Sequence, residues 1–207
     1  MKLHHIESSP MLVNTYILMD EAAGEAAVID PGFHNHKLFE YLAGNPCKVK
    51  YIIATHGHGD HTALMGKVKQ EFGGQIVIHE ADAHMLASKS QFALMMGSSF
   101  VSPEPDILLG GGEKLAVGSL TLEVIHTPGH SKGGICLLCP PYLFTGDTLF
   151  HDDVGRTDFD GGSHEELRRS IAVTLGALEG DYEVLPGHEE FSTLSYEKAN
   201  NPFFKPL

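Results

Sequence analysis

Between Thr55 and His61 the chain reads THGHGDH, which places His56, His58, Asp60 and His61 within one short stretch and leaves glycine at 57 and 59. Neutral imidazole and ionised carboxylate suit divalent zinc, iron or manganese, and ligand type alone does not choose among them. Glycine between the donors lets the backbone bend tightly, so that the side chains can turn toward a common centre. Three more donors occupy similar settings: His130 after TLEVIHTPG, Asp147 after YLFTG and His188 after YEVLPG. Each time an apolar run finishes in a short glycine-containing turn that presents His or Asp. A lone histidine at a strand end is ordinarily a packing or surface residue. Five His and two Asp at four strand ends are another matter. Gathered without a cation, they would be a cluster of polar groups lacking partners.

The remaining histidines lack this setting. His4, His5, His34, His36, His79, His84 and His164 read as surface or packing residues, while His126 and His151 are open to either reading. Cys136 and Cys139 form a CxxC, but the surrounding GGICLLCP reads as a strand. Strand alternation sends positions i and i+3 to opposite faces, so these two are expected in the core rather than on one metal.

The elements that must position the donors follow from pattern. LVNTYILM, AAVID, KVKYIIAT, QIVIH, TLEVIHT, GICLLC, YLFTG and YEVLPGH read as strands. One helix is expected around Leu38, Tyr41 and Leu42, ending at Gly44. A second carries Leu64, Val68 and Phe72 and stops at Gly73-Gly74, and ADAHMLAS makes a short third. Ser163 and Glu166 form a capping box for a helix carrying Leu167, Ile171, Leu175 and Leu178. More strands than helices, with helices in both halves, predicts sheet layers covered by helices. Lys89–Gly112 is the least periodic segment. Its Phe92, Met95, Met96 and Phe100 could line an apolar substrate wall, although core packing is the better expectation.

Composition narrows the partners. A chain of 207 residues with 42% hydrophobic content is an ordinary globular protein. Its formal charge of -13, with no basic run, argues against nucleic acid and anionic membrane. The start, MKLHHIESSP, lacks an apolar signal core, and no run approaches membrane-spanning length. With three cysteines, a cytoplasmic location is the default expectation.

HGHGDH, followed in order by GH, GD and GH, resembles the metallo-β-lactamase superfamily over nearly the whole chain. Within it, GDTLF, VGRTDFDGGS, LPGH and the tail EKANNPFF resemble small single-domain members close to glyoxalase II. The resemblance implies an α/β fold, a four-layer αββα sandwich with metals at one edge between the sheets. It implies one domain over residues 1–207, without the C-terminal helical domain that grips glutathione in glyoxalase II proper. It assigns His56, His58 and His130 to one metal and Asp60, His61 and His188 to a second, with Asp147 bridging them. Asp60 and Asp147 are the carboxylates expected at the catalytic step. Two divalent ions, zinc foremost and iron or manganese as alternatives, would lower the pKa of a shared water and polarise a carbonyl. The implied reaction is hydrolysis of a small-molecule thioester such as S-D-lactoylglutathione.

Several relatives rank lower on the same residues. The commonest class B β-lactamases carry Cys where this chain has Asp147, and flavodiiron proteins carry Glu where it has His58. Nuclease branches serve polyanions, which an acidic chain suits badly. A persulfide dioxygenase with one iron on His56, His130 and Asp147 is the alternative, because VGRTDF occurs in similar form there. A non-catalytic metal-binding domain is disfavoured by the open, complete donor set. The end of the chain at Leu207, and His151-Asp152-Asp153 where close relatives tend to carry a basic residue, weigh against glutathione specificity. Arg156 is the expected anchor for a substrate carboxylate, with a salt bridge to Asp158 or Asp160 as the competing reading.

Overall fold

The computed structural model describes residues 1–8, 11–33, 35–87 and 104–205. Among them, β1 (Lys2–Ser8), β2 (Val13–Asp20), β3 (Glu25–Ile29), β4 (Lys48–Ile53), β5 (Gln75–His79) and β6 (Ile107–Leu109) form one sheet in that order. The second sheet has the order β12-β11-β10-β9-β8-β7, from β7 (Lys114–Val117), β8 (Leu120–His126), β9 (Ile135–Cys139), β10 (Tyr142–Gly146), β11 (Glu183–Pro186) and β12 (Ser192–Thr193). The helices are α1 (His36–Gly44), α2 (Gly59–Thr62), α3 (Met65–Phe72), α4 (Ala83–Ala87), α5 (His164–Arg169) and α6 (Leu194–Asn200).

Apolar alternation builds three packed layers. Tyr16, Leu18, Ile29 and Ile53 of the first sheet meet Leu122, Val124, Leu137 and Phe144 of the second in the central core. The other face of the first sheet, including Ile17, Val28 and Ile52, is covered by Leu38, Leu42, Met65 and Val68 from α1 and α3. The outer face of the second sheet carries Cys136, Leu143 and Val184 against Leu167, Ile171 and Leu194. This is the expected αββα sandwich. Cys136 and Cys139 fall in different cores, as strand alternation requires, and burial pushes the Cys136 thiol up to about 11.

The expected capping box is present at its first half, with Ser163 Oγ accepting from Glu166 N. Beyond Arg169 the helix continues over Ser170–Leu175 with wider turns, Gly176 N bonding back to Ile171 O. Six elements had no sequence expectation: β1, β6, β7, β12, α2 and α6. β1 alternates only weakly and is specified by pairing with β2 along its length, Lys2 against Met19 through Ser8 against Val13. The expectations for His34, Phe92, Met95, Met96 and Phe100 lie outside the described residues. No described helix is long and apolar enough to cross a membrane.

Strand direction explains where the donors meet. β3, β4 and β5 are mutually parallel, so their C-terminal ends share one edge. In the second sheet β10 and β11 are parallel, and β8 and β10 both run antiparallel to β9. The ends of β8, β10 and β11 therefore share an edge as well. Cross-sheet bonds align the two edges: Ile135 N donates to Thr55 O at 2.9 Å, Asn14 N to Gly187 O at 2.7 Å, and Tyr16 Oη to Pro186 O at 2.6 Å.

Candidate metal centre

The seven donors expected from sequence converge at that edge. His56, His58 and His130 form one set, Asp60, His61 and His188 another, and Asp147 joins His56 and His61 in a third; donor atoms within each set lie within 4.8 Å of one another. Asp147 Oδ1 is 3.4 Å from His61 Nε2, while Oδ2 is 3.5 Å from His130 Nε2 and 3.6 Å from His188 Nε2. Its carboxylate thus stands between the two groups.

The arrangement fits divalent ions on two grounds. His56 Nε2 and Asp147 Oδ1 are buried with no hydrogen-bond partner in the protein. Such orphans are costly unless something else satisfies them. Donor separations give the second ground. Metal–nitrogen bonds of about 2.0–2.1 Å in a tetrahedron put ligand atoms about 3.3–3.4 Å apart. The cluster shows 3.2 Å between His61 Nε2 and His188 Nε2, and 3.5 Å between His188 Nε2 and Asp60 Oδ2. The His58 Nδ1 to His130 Nε2 separation, 2.9 Å, is somewhat tighter.

Three of the rings are aimed from behind. His130 Nδ1 donates to Arg156 O at 2.7 Å, His188 Nδ1 to Met11 O at 3.1 Å, and His61 Nδ1 faces Asp30 Oδ2 at 3.0 Å. A ring nitrogen tied in this way leaves Nε2 free to ligate and fixes the tautomer. Asp30 itself is buried and accepts from Thr55 N at 2.8 Å and Thr55 Oγ1 at 2.7 Å. Sequence reasoning passed over Asp30, although AAVID ends an apolar strand in Asp before Pro-Gly, the same signal as the donors.

Asp82 was also missed, and it joins the two donor loops. Its Oδ2 accepts from Gly57 N at 2.9 Å and Ser131 Oγ at 2.6 Å, and its Oδ1 from Gly133 N at 2.7 Å. One buried carboxylate therefore connects the His56–His58 turn to the His130 turn. Gly133 is needed for this approach, because a Cβ there would lie 2.7 Å from Asp82 Cγ. At Gly187 a Cβ would collide with Asp147 Oδ1, so the backbone before His188 is bare where the bridge sits.

His126 stacks on buried His79 at 4.1 Å and its Nε2 meets Lys132 O at 2.9 Å, which braces the turn bearing His130 without entering the cluster. His151 lies apart, 3.6 Å from Asp152 Oδ2. His4 stacks on Tyr41 and His5 bonds Asn14, while His36, His84 and His164 are exposed. Arg156 lines the cleft beside the cluster, but its fork is already closed on Asp158 by two 2.6 Å bonds. The competing salt-bridge reading is the one the structure shows, with Asp158 rather than Asp160 as partner.

Without metal, the cluster sorts its protons. Burial, then His61 and His130, holds His56 well below the ordinary imidazole range, and burial likewise lowers His58. Burial opposes charge on His61 too, but Asp147, Asp60 and Asp30 outweigh it and push the ring up to about 10. Against burial, His61 and His188 keep the Asp60 carboxyl below the usual range. At neutral pH the metal-free His61 therefore carries a proton that a cation must displace. Metal uptake at pH 7 should release protons, and apparent affinity should climb as pH rises toward 10. Calorimetric titrations in buffers of different ionisation enthalpy should give different heats. Identical heats would show that His61 is neutral before binding.

A family model described as the metallo-beta-lactamase superfamily matches residues 9–188. The chain belongs to that superfamily. Hydroxyacylglutathione hydrolase GloC of Haemophilus influenzae is 34% identical over 187 residues, 86% of each chain. The BLEG-1 B3 metallo-beta-lactamase structure superposes with a TM-score of 0.87 at 31% identity, covering 99% of this chain and 100% of that one. TTHA1623, solved in a di-iron-bound form, gives 0.84 at 28% identity over 97% and 99%. The superfamily and the hydrolase relatives support a metal-dependent hydrolase, with the donor cluster as its candidate metal site.

Proposed function

We propose that the protein is a binuclear thioester hydrolase of the glyoxalase II type. The observation that carries this reading is the seven-donor cluster, with its two orphaned atoms, on the floor of a cleft of about 730 Å³. His56, His58 and His130 would hold one divalent ion and Asp60, His61 and His188 the other, with Asp147 shared. Bound there, two such ions supply a nucleophilic water at neutral pH and polarise the substrate carbonyl.

The chain's own groups do the rest. Among the described residues lining the cleft there is no Ser, Thr, Cys, Lys or Tyr, so no hydroxyl, thiol or amine side chain stands ready as a covalent nucleophile. That favours direct attack by water. Asp60, kept ionised beside His61 and His188, can orient a water by accepting its hydrogen. No general acid is needed for a thiolate, which leaves readily; an amine would require one. Phe150 and Val154 wall the cleft and exclude solvent from the reacting carbonyl.

The likeness to a hydroxyacylglutathione hydrolase supports a thioester, and the likeness to a di-iron protein supports two ions. The expectation against lactam hydrolysis concerned the kind bearing Cys in place of Asp147. The likeness to a B3 metallo-beta-lactamase makes a β-lactam a necessary comparison substrate. After reconstitution, elemental analysis should find close to two transition-metal ions per chain. The loaded protein should release thiol from a small acyl thioester faster than it opens a β-lactam. One ion per chain together with oxygen uptake on glutathione persulfide would replace the hydrolase reading with the dioxygenase.

A further inference from the structure

We propose that the cleft selects thioesters whose thiol part carries no negative charge, an inference that rests on the thioester reading. The acyl carbonyl must reach the donor cluster, so the thiol part lies along the outer cleft. There, among the described residues and apart from the seven donors, the charged side chains are Glu7, Asp153, Glu189 and Arg156. The three acids are exposed, and among the described residues none is paired with a Lys or Arg. Arg156, the single cation among the described lining residues, is spent: both its Nε and its Nη2 bond Asp158, and its guanidinium lies 4.1 Å over the Phe159 ring.

The charges on Asp60 and Asp147 differ in kind, because two divalent ions would offset them. Glu7, Asp153 and Glu189 have no such partner, so the loaded enzyme is negative at the mouth of its cleft. Beside these acids the wall is apolar, with Met11, Leu12 and Phe159 all exposed. An anionic thiol would meet repulsion and find no free fork to bind it, while a neutral or cationic alkyl thiol would gain apolar contact.

Three acetyl thioesters of similar size test this with the metal-loaded enzyme: acetylthiocholine, its neutral 3,3-dimethylbutyl isostere, and the thioester of 4-mercaptobutanoate. The carboxylate should have kcat/KM about tenfold or more below the neutral isostere at low ionic strength. That gap should shrink as salt shortens the screening length, since the acids are exposed. Asp158→Asn, which releases the Arg156 fork, should raise the carboxylate substrate selectively. Equal kcat/KM for the three, or preference for the carboxylate, overturns the inference while leaving the hydrolase intact. Failure to cleave any of them with both ions bound would instead refute the thioester reading. The matching thioethers, which cannot be cleaved, would then still report the charge ranking as calorimetric binding constants.

Discussion

Asp147→Asn should lose metal and turnover together, with kcat/KM falling by at least about a hundredfold. Loss of a residue that merely orients a ligand already costs about 10–100-fold, and Asp147 stands within 3.4–3.6 Å of three histidine nitrogens. The exchange keeps the side chain's size but removes its charge. It also turns one of the two oxygens into an amide nitrogen, aimed either at His61 or at His130 and His188. The side chain cannot turn toward the backbone before His188, because Gly187 already has to be bare to admit Oδ1. His126→Ala is the control, expected to be far milder, since that ring touches the Lys132 carbonyl rather than the cluster. Elemental analysis and steady-state rates on both variants decide the matter. Wild-type turnover of Asp147→Asn with two ions retained would show that the bridge is misassigned.

Asp82→Ala should be the most damaging change outside the seven donors. It strands Gly57 N, Ser131 Oγ and Gly133 N, all paired to that carboxylate. Leaving buried donors unmet costs about 1–3 kcal/mol each, less whatever water recovers, so a net loss of about 2–4 kcal/mol is expected. For a chain of this size that lowers Tm by roughly 5–15 °C. Position matters as much as stability here. Without the carboxylate, the three bonds through which it joins the His56–His58 turn to the His130 turn are lost, so affinity for the ion between them should drop about 10–100-fold. Chelator competition measures that loss separately from melting. Unchanged melting and unchanged metal retention in Asp82→Ala would show that the link is dispensable.

Donors and their supports were unequally legible in the sequence. The seven donors were visible because each closes an apolar run with a glycine turn, and because imidazole and carboxylate have few other reasons to crowd together. The sandwich was visible through strand alternation, down to the separation of Cys136 from Cys139. Asp82 carried no comparable signal: it follows QIVIH by three residues inside what reads as a helix start, where an acid is unremarkable. Its role depends on two distant backbone N–H groups, which no local pattern encodes. Arg156 shows the opposite limit. Its residue type suggested a ligand anchor, and the nearby Asp158 was visible too, but only geometry shows the fork already closed. β1 and α6 went unread because partners elsewhere in the chain specify them.

Besides the shared Asp147, each candidate ion position takes two donors from the first sheet's edge and one from the second: His56 and His58 with His130, and Asp60 and His61 with His188. Neither half of the chain can therefore hold an ion alone. A cation at either position is a cross-link between halves, joining points dozens of residues apart that the unfolded chain keeps far from one another. Folding free energy and metal activity are thus linked, each tenfold rise in free ion above its dissociation constant adding about 1.4 kcal/mol per site. Chelation should loosen the seam between the sheets before it disturbs either sheet's own hydrogen-bonded ladder. How firmly the two halves are fastened is then set by the metal content of the surrounding solution as well as by the chain.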